Sequence, residues 1–221
     1  HGGPTDQWMV SFMPRFVYWL DRGYSILVPD PRGSTGHGRR YAQAVRGRWG
    51  EIDTDDVIAT IAAARHGRNV VVMGSSAGGL IALNVARRGS ACGVVVAYPV
   101  ADVAALDAST HRFEAHYNRS LVGDPAITMD WSRRHSPVHC TDDLIAVPML
   151  VFHGDADPVV GIEQSRRLVA AVRAAGGTAD LVEYAGEGHG FRSLENRRDE
   201  HRRTEEFLIR HGGRTGIASR S

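Results

Sequence analysis

Lysine is absent from this 221-residue chain: all 26 Lys-or-Arg side chains are arginine, against 25 acidic ones, for a formal charge of +1. That even balance gives no basic face for nucleic acid and no pull toward an anionic membrane. The missing lysine reads as genome bias, not as a binding surface. Cysteine is nearly absent too. Cys92 and Cys140 are too few for a disulfide framework, so a reduced, cytoplasmic setting is expected. No apolar run reaches membrane-spanning length, no stretch reads as a signal peptide, and no internal repeat is visible. What remains is an ordinary globular composition, 43% apolar, most simply one domain.

The chain is organised around residues 70–80, Val-Val-Val-Met-Gly-Ser-Ser-Ala-Gly-Gly-Leu. The β-branched run Val70 to Val72 predicts a buried strand, ended at Gly74, and Leu80, Ile81, Leu83, Val85 and Ala86 predict a helix. Between them, Gly74, Ser76 and Gly78 fill Gly-x-Ser-x-Gly. A strand turning at once into a helix strains and exposes the middle residue, and the backbones then nearly touch, so the flanking residues must be small. Ser76, not Ser75, occupies the elbow, and the Ala77 amide points where an oxyanion would form. The plain alternative is a Gly/Ser-rich loop, and the flanking strand and helix count against it.

Strand and helix signals alternate along the rest of the chain. Pro14 to Asp21 predicts a short helix and Tyr24 to Val28 a buried strand. Pro31 to Gly38 predicts a tight turn stapled by Arg32; it lacks the Lys-Ser/Thr of a phosphate loop and the dinucleotide-binding glycine pattern. Acidic residues at Glu51, Asp53, Asp55 and Asp56 open a helix that ends near His66-Gly67, placed as the helix dipole prefers. Gly93 to Ala97, Met149 to Phe152 and Ala179 to Tyr184 predict further strands. Helices are expected over Gly161 to Ala175 and Leu194 to Ile209. This order predicts a mostly parallel sheet with helices on both faces. Ala101 to Cys140 breaks the alternation and reads as a cap over the sheet's C-terminal edge. There His135, His139 and Cys140 have a zinc-like spacing, but Pro137 interrupts the turn and no fourth ligand is evident, so neither metal nor cofactor is expected.

Serine attacks at neutral pH only if a base takes its proton, and that base is a histidine oriented by a carboxylate. In an α/β-hydrolase the chain order is Ser, acid, His, with each partner in a loop after a strand. The loop after Phe152 offers Asp155 and Asp157. The loop after Tyr184 offers His189 between two glycines. A second oxyanion N–H comes in such folds from an HGGG-type loop, and His1-Gly2-Gly3-Pro4 stands at that place in chain order, offering Gly3 beside Ala77.

These segments together resemble the catalytic domain of the prolyl oligopeptidase family of serine peptidases, in its acylaminoacyl-peptidase and dipeptidyl-peptidase branch. The resemblance rests on His1-Gly2-Gly3-Pro4, Arg22-Gly23-Tyr24, Pro31 to Gly36, Trp49-Gly50 with Asp53 and Asp56-Val57, and Gly74 to Gly79. It continues through Arg112-Phe113-Glu114 with Tyr117, Ser136-Pro137-Val138, His153 to Asp157, and Gly186 to Phe191. It covers residues 1 to about 210. It implies an α/β-hydrolase fold with Ser76 as nucleophile, Asp157 rather than Asp155 as acid, His189 as base, and Gly3 and Ala77 as oxyanion amides. Family peptidases carry an N-terminal β-propeller, and central strands precede the His-Gly-Gly-Pro loop. Neither is found in these residues. The expectation is therefore that residues 1–211 are the hydrolase domain of a longer protein lacking its N-terminal strands, with 212–221 a disordered tail.

The leading expectation is hydrolysis of short peptides through an acyl-enzyme. The alternative is a carboxylesterase-type acyl hydrolase using the same triad. A non-enzymatic binding domain is disfavoured because every triad position is filled. Tyr98, Arg112, Phe113, Glu114, Tyr117 and Trp131 are candidates for substrate binding, though aromatic residues in a cap as often only pack. A small peptide or acyl substrate is the expected partner. The sequence leaves the oligomeric state open.

Overall fold

A computed structural model describes residues 1–65, 67–109, 121 and 133–212. His66, the candidates Arg112, Phe113, Glu114, Tyr117 and Trp131, and the 213–221 tail lie outside the described residues.

Helix α1 spans Pro14–Asp21, a short α2 spans Arg39–Gln43, and α3 spans Ile52–Ala64. Strand β1 (Val71–Ser75) then runs directly into α4 (Ala77–Arg87), followed by β2 (Gly93–Ala97) and α5 (Val103–Ser109). Two 3₁₀ turns, Pro137–His139 and Thr141–Leu144, lead to β3 (Met149–Gly154), α6 (Glu163–Ala174), β4 (Ala179–Tyr184) and α7 (Leu194–His211).

The four strands are parallel, in the order β1-β2-β3-β4. Alternate residues of each strand face opposite sides of the sheet. Val94, Val96, Met149 and Val151 pack with Val57 and Ile61 of α3, with α4, and with Leu168, Val169 and Val172 of α6. Val95, Ala97, Leu150, Phe152 and Tyr184 pack against Phe207 of α7 on the other side. Helix α1 lies against α7, where Tyr18 and Arg22 both reach Glu205 at 2.9 and 2.8 Å. Apolar faces on both sides explain why β2 and β3 are buried throughout.

Parallel strands in register bring all their carboxyl ends to one edge. Ser75 pairs with Ala97, Ala97 with Phe152, and Gly154 with Tyr184. The residues following β1, β2, β3 and β4 therefore converge there, as open α/β sheets require of their binding edge.

Two expectations are corrected. Tyr24–Val28 alternates between exposed and half-buried like a strand but belongs to no sheet, and Leu27 is 49% exposed. A strand is defined by its ladder, and among the described residues Tyr24–Val28 forms none. β1 in turn bonds β2 on one side only and ends the sheet, so Met73, read as buried, is 38% exposed.

Candidate active site

At the elbow the backbones of β1 and α4 nearly touch. Ser76 has φ 54° and ψ −123°, outside the regions open to a relaxed L-residue. Two bonds to the β2 side fix that strain: Ser76 N donates to Ala97 O at 3.1 Å, and Val100 N donates to Ser76 O at 3.2 Å. A Cβ on Gly74 would overlap the Gly78 carbonyl, and one on Gly78 would overlap the His1 carbonyl. Both glycines are therefore required by contact. Ala77 opens α4, so its N–H has no carbonyl four residues back within the helix.

The His1–Pro4 loop lies on this elbow. The space beyond Gly2 Cα ends at Ser76 Cβ and the Ser75 carbonyl, each 3.5 Å from where a Gly2 Cβ would sit. The loop is tied to the Pro31–Gly38 turn: His1 Nε2 meets Ser34 Oγ at 2.8 Å, and Ser34 Oγ donates to Pro31 O at 2.7 Å. Arg32 staples that turn to α3 through two side-chain nitrogens on Asp56, at 2.6 to 3.0 Å.

Asp157 sits in the loop after β3, its side chain fully buried. Oδ1 accepts the N–H groups of Val159 (2.8 Å) and Val160 (3.0 Å). Oδ2 accepts His189 Nδ1 at 2.8 Å. Burial works against ionisation here, but hydrogen bonds from His153, His189 and the two amides outweigh it and hold the carboxyl well below the usual carboxylate range. Asp155 turns elsewhere: its Oδ1 accepts Gly186 N at 2.6 Å, which ties the β3 loop to the β4 loop.

His189 stands at the tip of a turn closed by Gly190 N donating to Gly188 O at 2.9 Å. Since Nδ1 must donate to the ionised Asp157, Nε2 carries the lone pair, and Ser76 Oγ donates to it at 3.0 Å. The structure thus draws Ser76, His189 and Asp157, from three different loops, into one hydrogen-bonded line. The His189 ring is 23% exposed, open enough to meet a substrate.

Residues that the sequence reading did not single out support this line. His153 is fully buried in β3; its Nε2 donates to Val160 O at 2.8 Å, and Ser165 Oγ donates to its Nδ1 at 2.7 Å. Glu187 accepts the N–H groups of Arg192 and Ser193 and the Asn196 amide, each at 2.8 Å, which anchors the His189 loop to the start of α7. A histidine inside an otherwise apolar strand was a readable signal; Glu187 offered none beyond its place in the loop.

Of the substrate-binding candidates, Tyr98 alone is described. Its ring packs against His189 and Phe191 on the α7 side of the sheet. The zinc-like trio points to separate partners. His139 Nε2 lies 3.6 Å from Asp102, Cys140 Sγ lies 3.3 Å from the Arg133 carbonyl, and the His135 carbonyl accepts from Asn84. Among the described residues no three His, Cys, Asp or Glu side chains gather as metal ligands do, both cysteines are free thiols, and no helix is long and apolar enough to cross a membrane.

The prolyl oligopeptidase family profile matches residues 10–215. The chain is 30% identical over 222 residues to dipeptidyl peptidase family member 6 of Caenorhabditis elegans, covering 94% of this chain and 30% of that protein. It is 31% identical over 221 residues to dipeptidyl aminopeptidase BIII of Pseudoxanthomonas mexicana, covering 94% of this chain and 32% of that one. A solved puromycin-hydrolyzing peptidase from Mycobacterium tuberculosis superposes with a TM-score of 0.91 at 28% identity, over 98% of this chain and 34% of that one. The chain spans about a third of the length of these relatives.

Proposed function

Because this chain belongs to the prolyl oligopeptidase family, we propose that it hydrolyses short peptides through a serine acyl-enzyme. The observation that carries the reading is the Ser76–His189–Asp157 line, with links of 3.0 and 2.8 Å. Ser76 Oγ attacks the scissile carbonyl carbon while its proton passes to His189 Nε2. The buried, ionised Asp157 stabilises the imidazolium that results. The carbonyl oxygen becomes an oxyanion and is held by the N–H groups of Ala77 and Gly3, a site such donors favour by about 3 kcal/mol each. The tetrahedral adduct expels the amine, which takes the proton from His189. The products are an acyl ester on Ser76 and a free amine. Water, deprotonated by the same imidazole, then attacks the ester carbonyl; the Oγ–carbonyl bond breaks, Ser76 Oγ takes the proton back from His189, and the acyl group leaves as the carboxylic acid.

Relatives named as dipeptidyl peptidases and as puromycin-hydrolyzing peptidases support an amide as the scissile bond. An ester would pass through the same steps with an easier leaving group. The test is labelling by a fluorophosphonate, followed by rates on matched amide and ester substrates. Labelling at Ser76 and its loss in Ser76→Ala are expected, with measurable amide turnover. Labelling at another serine overturns the reading. Ester turnover with no amide turnover moves the chain to the esterase class.

A further inference from the structure

Tyr98 carries the wrong backbone for its side chain. Its φ is 39°, in the left-handed region that a bulky aromatic residue avoids, and among the described residues the one other non-glycine residue there is Ser76. Such strain persists only where the surroundings over-determine it, and it gathers at working sites. Tyr98 follows β2, the strand between the one that presents Ser76 and the one that leads to Asp157.

From that position Tyr98 touches the end of β3 and the loop after β4, the two segments that lead to Asp157 and His189. Its N–H donates to Phe152 O of β3 at 2.7 Å. Its ring lies with its centroid 4.5 Å from that of His189, tilted by 55°, and is backed edge-on by Phe191 at 5.6 Å. A relaxed φ would carry the ring away from His189. Burial raises the Tyr98 pKa above the ordinary tyrosine value, so the hydroxyl keeps its proton at neutral pH.

We propose that Tyr98 is a positioning residue whose ring is the wall that keeps the His189 imidazole in line between Asp157 and Ser76. The inference rests on the triad reading above. The need is physical. His189 sits in a Gly-His-Gly turn, whose glycines bring no side chains to hold the ring. A hydrogen bond weakens steeply as its angle closes, and a reacting constellation tolerates displacements of only about 0.5 Å. A wall that fixes the imidazole plane helps proton transfer, and it contributes nothing to binding the substrate's ground state.

The experiment measures kcat, KM and the rate of fluorophosphonate labelling for the wild type, Tyr98→Phe, Tyr98→Leu and Tyr98→Asn, with thermal melts as a folding control. Asparagine accepts the left-handed backbone, so Tyr98→Asn removes the ring without adding strain. Tyr98→Phe should stay within about threefold of wild type, because the ring remains. Tyr98→Leu and Tyr98→Asn should lose about 10- to 100-fold in kcat and in labelling rate, with KM nearly unchanged. A folded ring-less variant with wild-type kcat overturns the proposal. So does a Tyr98→Phe as slow as Tyr98→Asn, and so does a loss confined to KM, which would make Tyr98 a substrate contact. A wild-type protein that the probe does not label at Ser76 overturns the triad reading itself; labelling at Ser76 with unimpaired Tyr98 variants overturns this inference alone.

Discussion

His153 Nε2 stands 3.5 Å from Asp157 Oδ2 and gives its shorter bond, 2.8 Å, to the carbonyl of Val160. The buried imidazole therefore pins the 157–160 turn, whose amides in turn hold Asp157. With Nε2 donating, Nδ1 is an acceptor, and Ser165 supplies its proton. His153→Phe keeps much of the volume but leaves the Val160 carbonyl and the Ser165 hydroxyl buried and unpaired. A loss of about 2–4 kcal/mol in urea unfolding is expected. Ser165→Ala should lose about 1 kcal/mol. Equal, small effects of both would show that the pair does not fix the turn.

Glu187 does for the His189 loop what His153 does for the Asp157 loop. Its carboxylate accepts three N–H donors at the start of α7, and they hold its pKa below the ordinary glutamate value. Glu187→Ala releases the loop from the helix while leaving His189 in place chemically. We expect kcat/KM to fall about tenfold or more, with a stability loss of about 1–3 kcal/mol. Glu187→Gln, which keeps the acceptor oxygen, should recover part of both. Activity assays beside thermal melts check this, and full activity in Glu187→Ala would refute it.

How much of this was readable in advance depended on whether the signal was local. The elbow was legible because β-branched residues, three small residues and a helical run succeed one another within residues 70–86. The loops bearing Asp155, Asp157 and His189 were legible because each follows a short segment, Met149–Phe152 or Ala179–Tyr184, that reads as a strand. Partnership was not legible. Nothing inside Tyr24–Val28 tells whether another strand lies beside it, and nothing inside β1 tells that Met73 faces solvent. The left-handed backbone of Tyr98 was equally hidden, because its sequence neighbourhood suggests an ordinary strand end before Pro99. Asp53 shows the same limit: as one acid among several opening α3 it fits the helix dipole, but the fold buries it.

That burial makes a pH prediction. Asp53 is 1% exposed, and its Oδ2 has no partner among the described residues. Burial pushes its carboxyl up from 3.8 to about 7, although the Gly50 and Thr54 amides work against it. The folded state thus binds this proton more tightly than the unfolded state. The contribution is favourable in acid, is lost progressively as pH rises from about 4 to about 7, and is flat above that. Asp53→Asn removes the titration. At pH 8 the variant should be more stable than wild type by about 4 kcal/mol, or about 8–16 °C in Tm, with the gap closing toward pH 4. A gap that does not change with pH would mean that Asp53 titrates normally.

Asp157→Asn separates the orientation of the base from its presence. The asparagine oxygen can still accept the Val159 and Val160 amides, so the turn survives. Its Nδ2 then faces His189 Nδ1, and two donors cannot share a hydrogen bond. His189 therefore shifts its proton to Nε2, the nitrogen that meets Ser76 Oγ at 3.0 Å. A protonated Nε2 cannot accept the serine proton. The expected result is a folded protein with kcat lower by about 10⁴, KM little changed, and fluorophosphonate labelling of Ser76 slowed in parallel. Because the deprived step must take the proton off Ser76 Oγ, the residual rate should climb with pH as hydroxide takes over from the imidazole. A variant that keeps more than about a tenth of the wild-type kcat at neutral pH would show that the Asp157–His189 contact orients nothing the reaction needs.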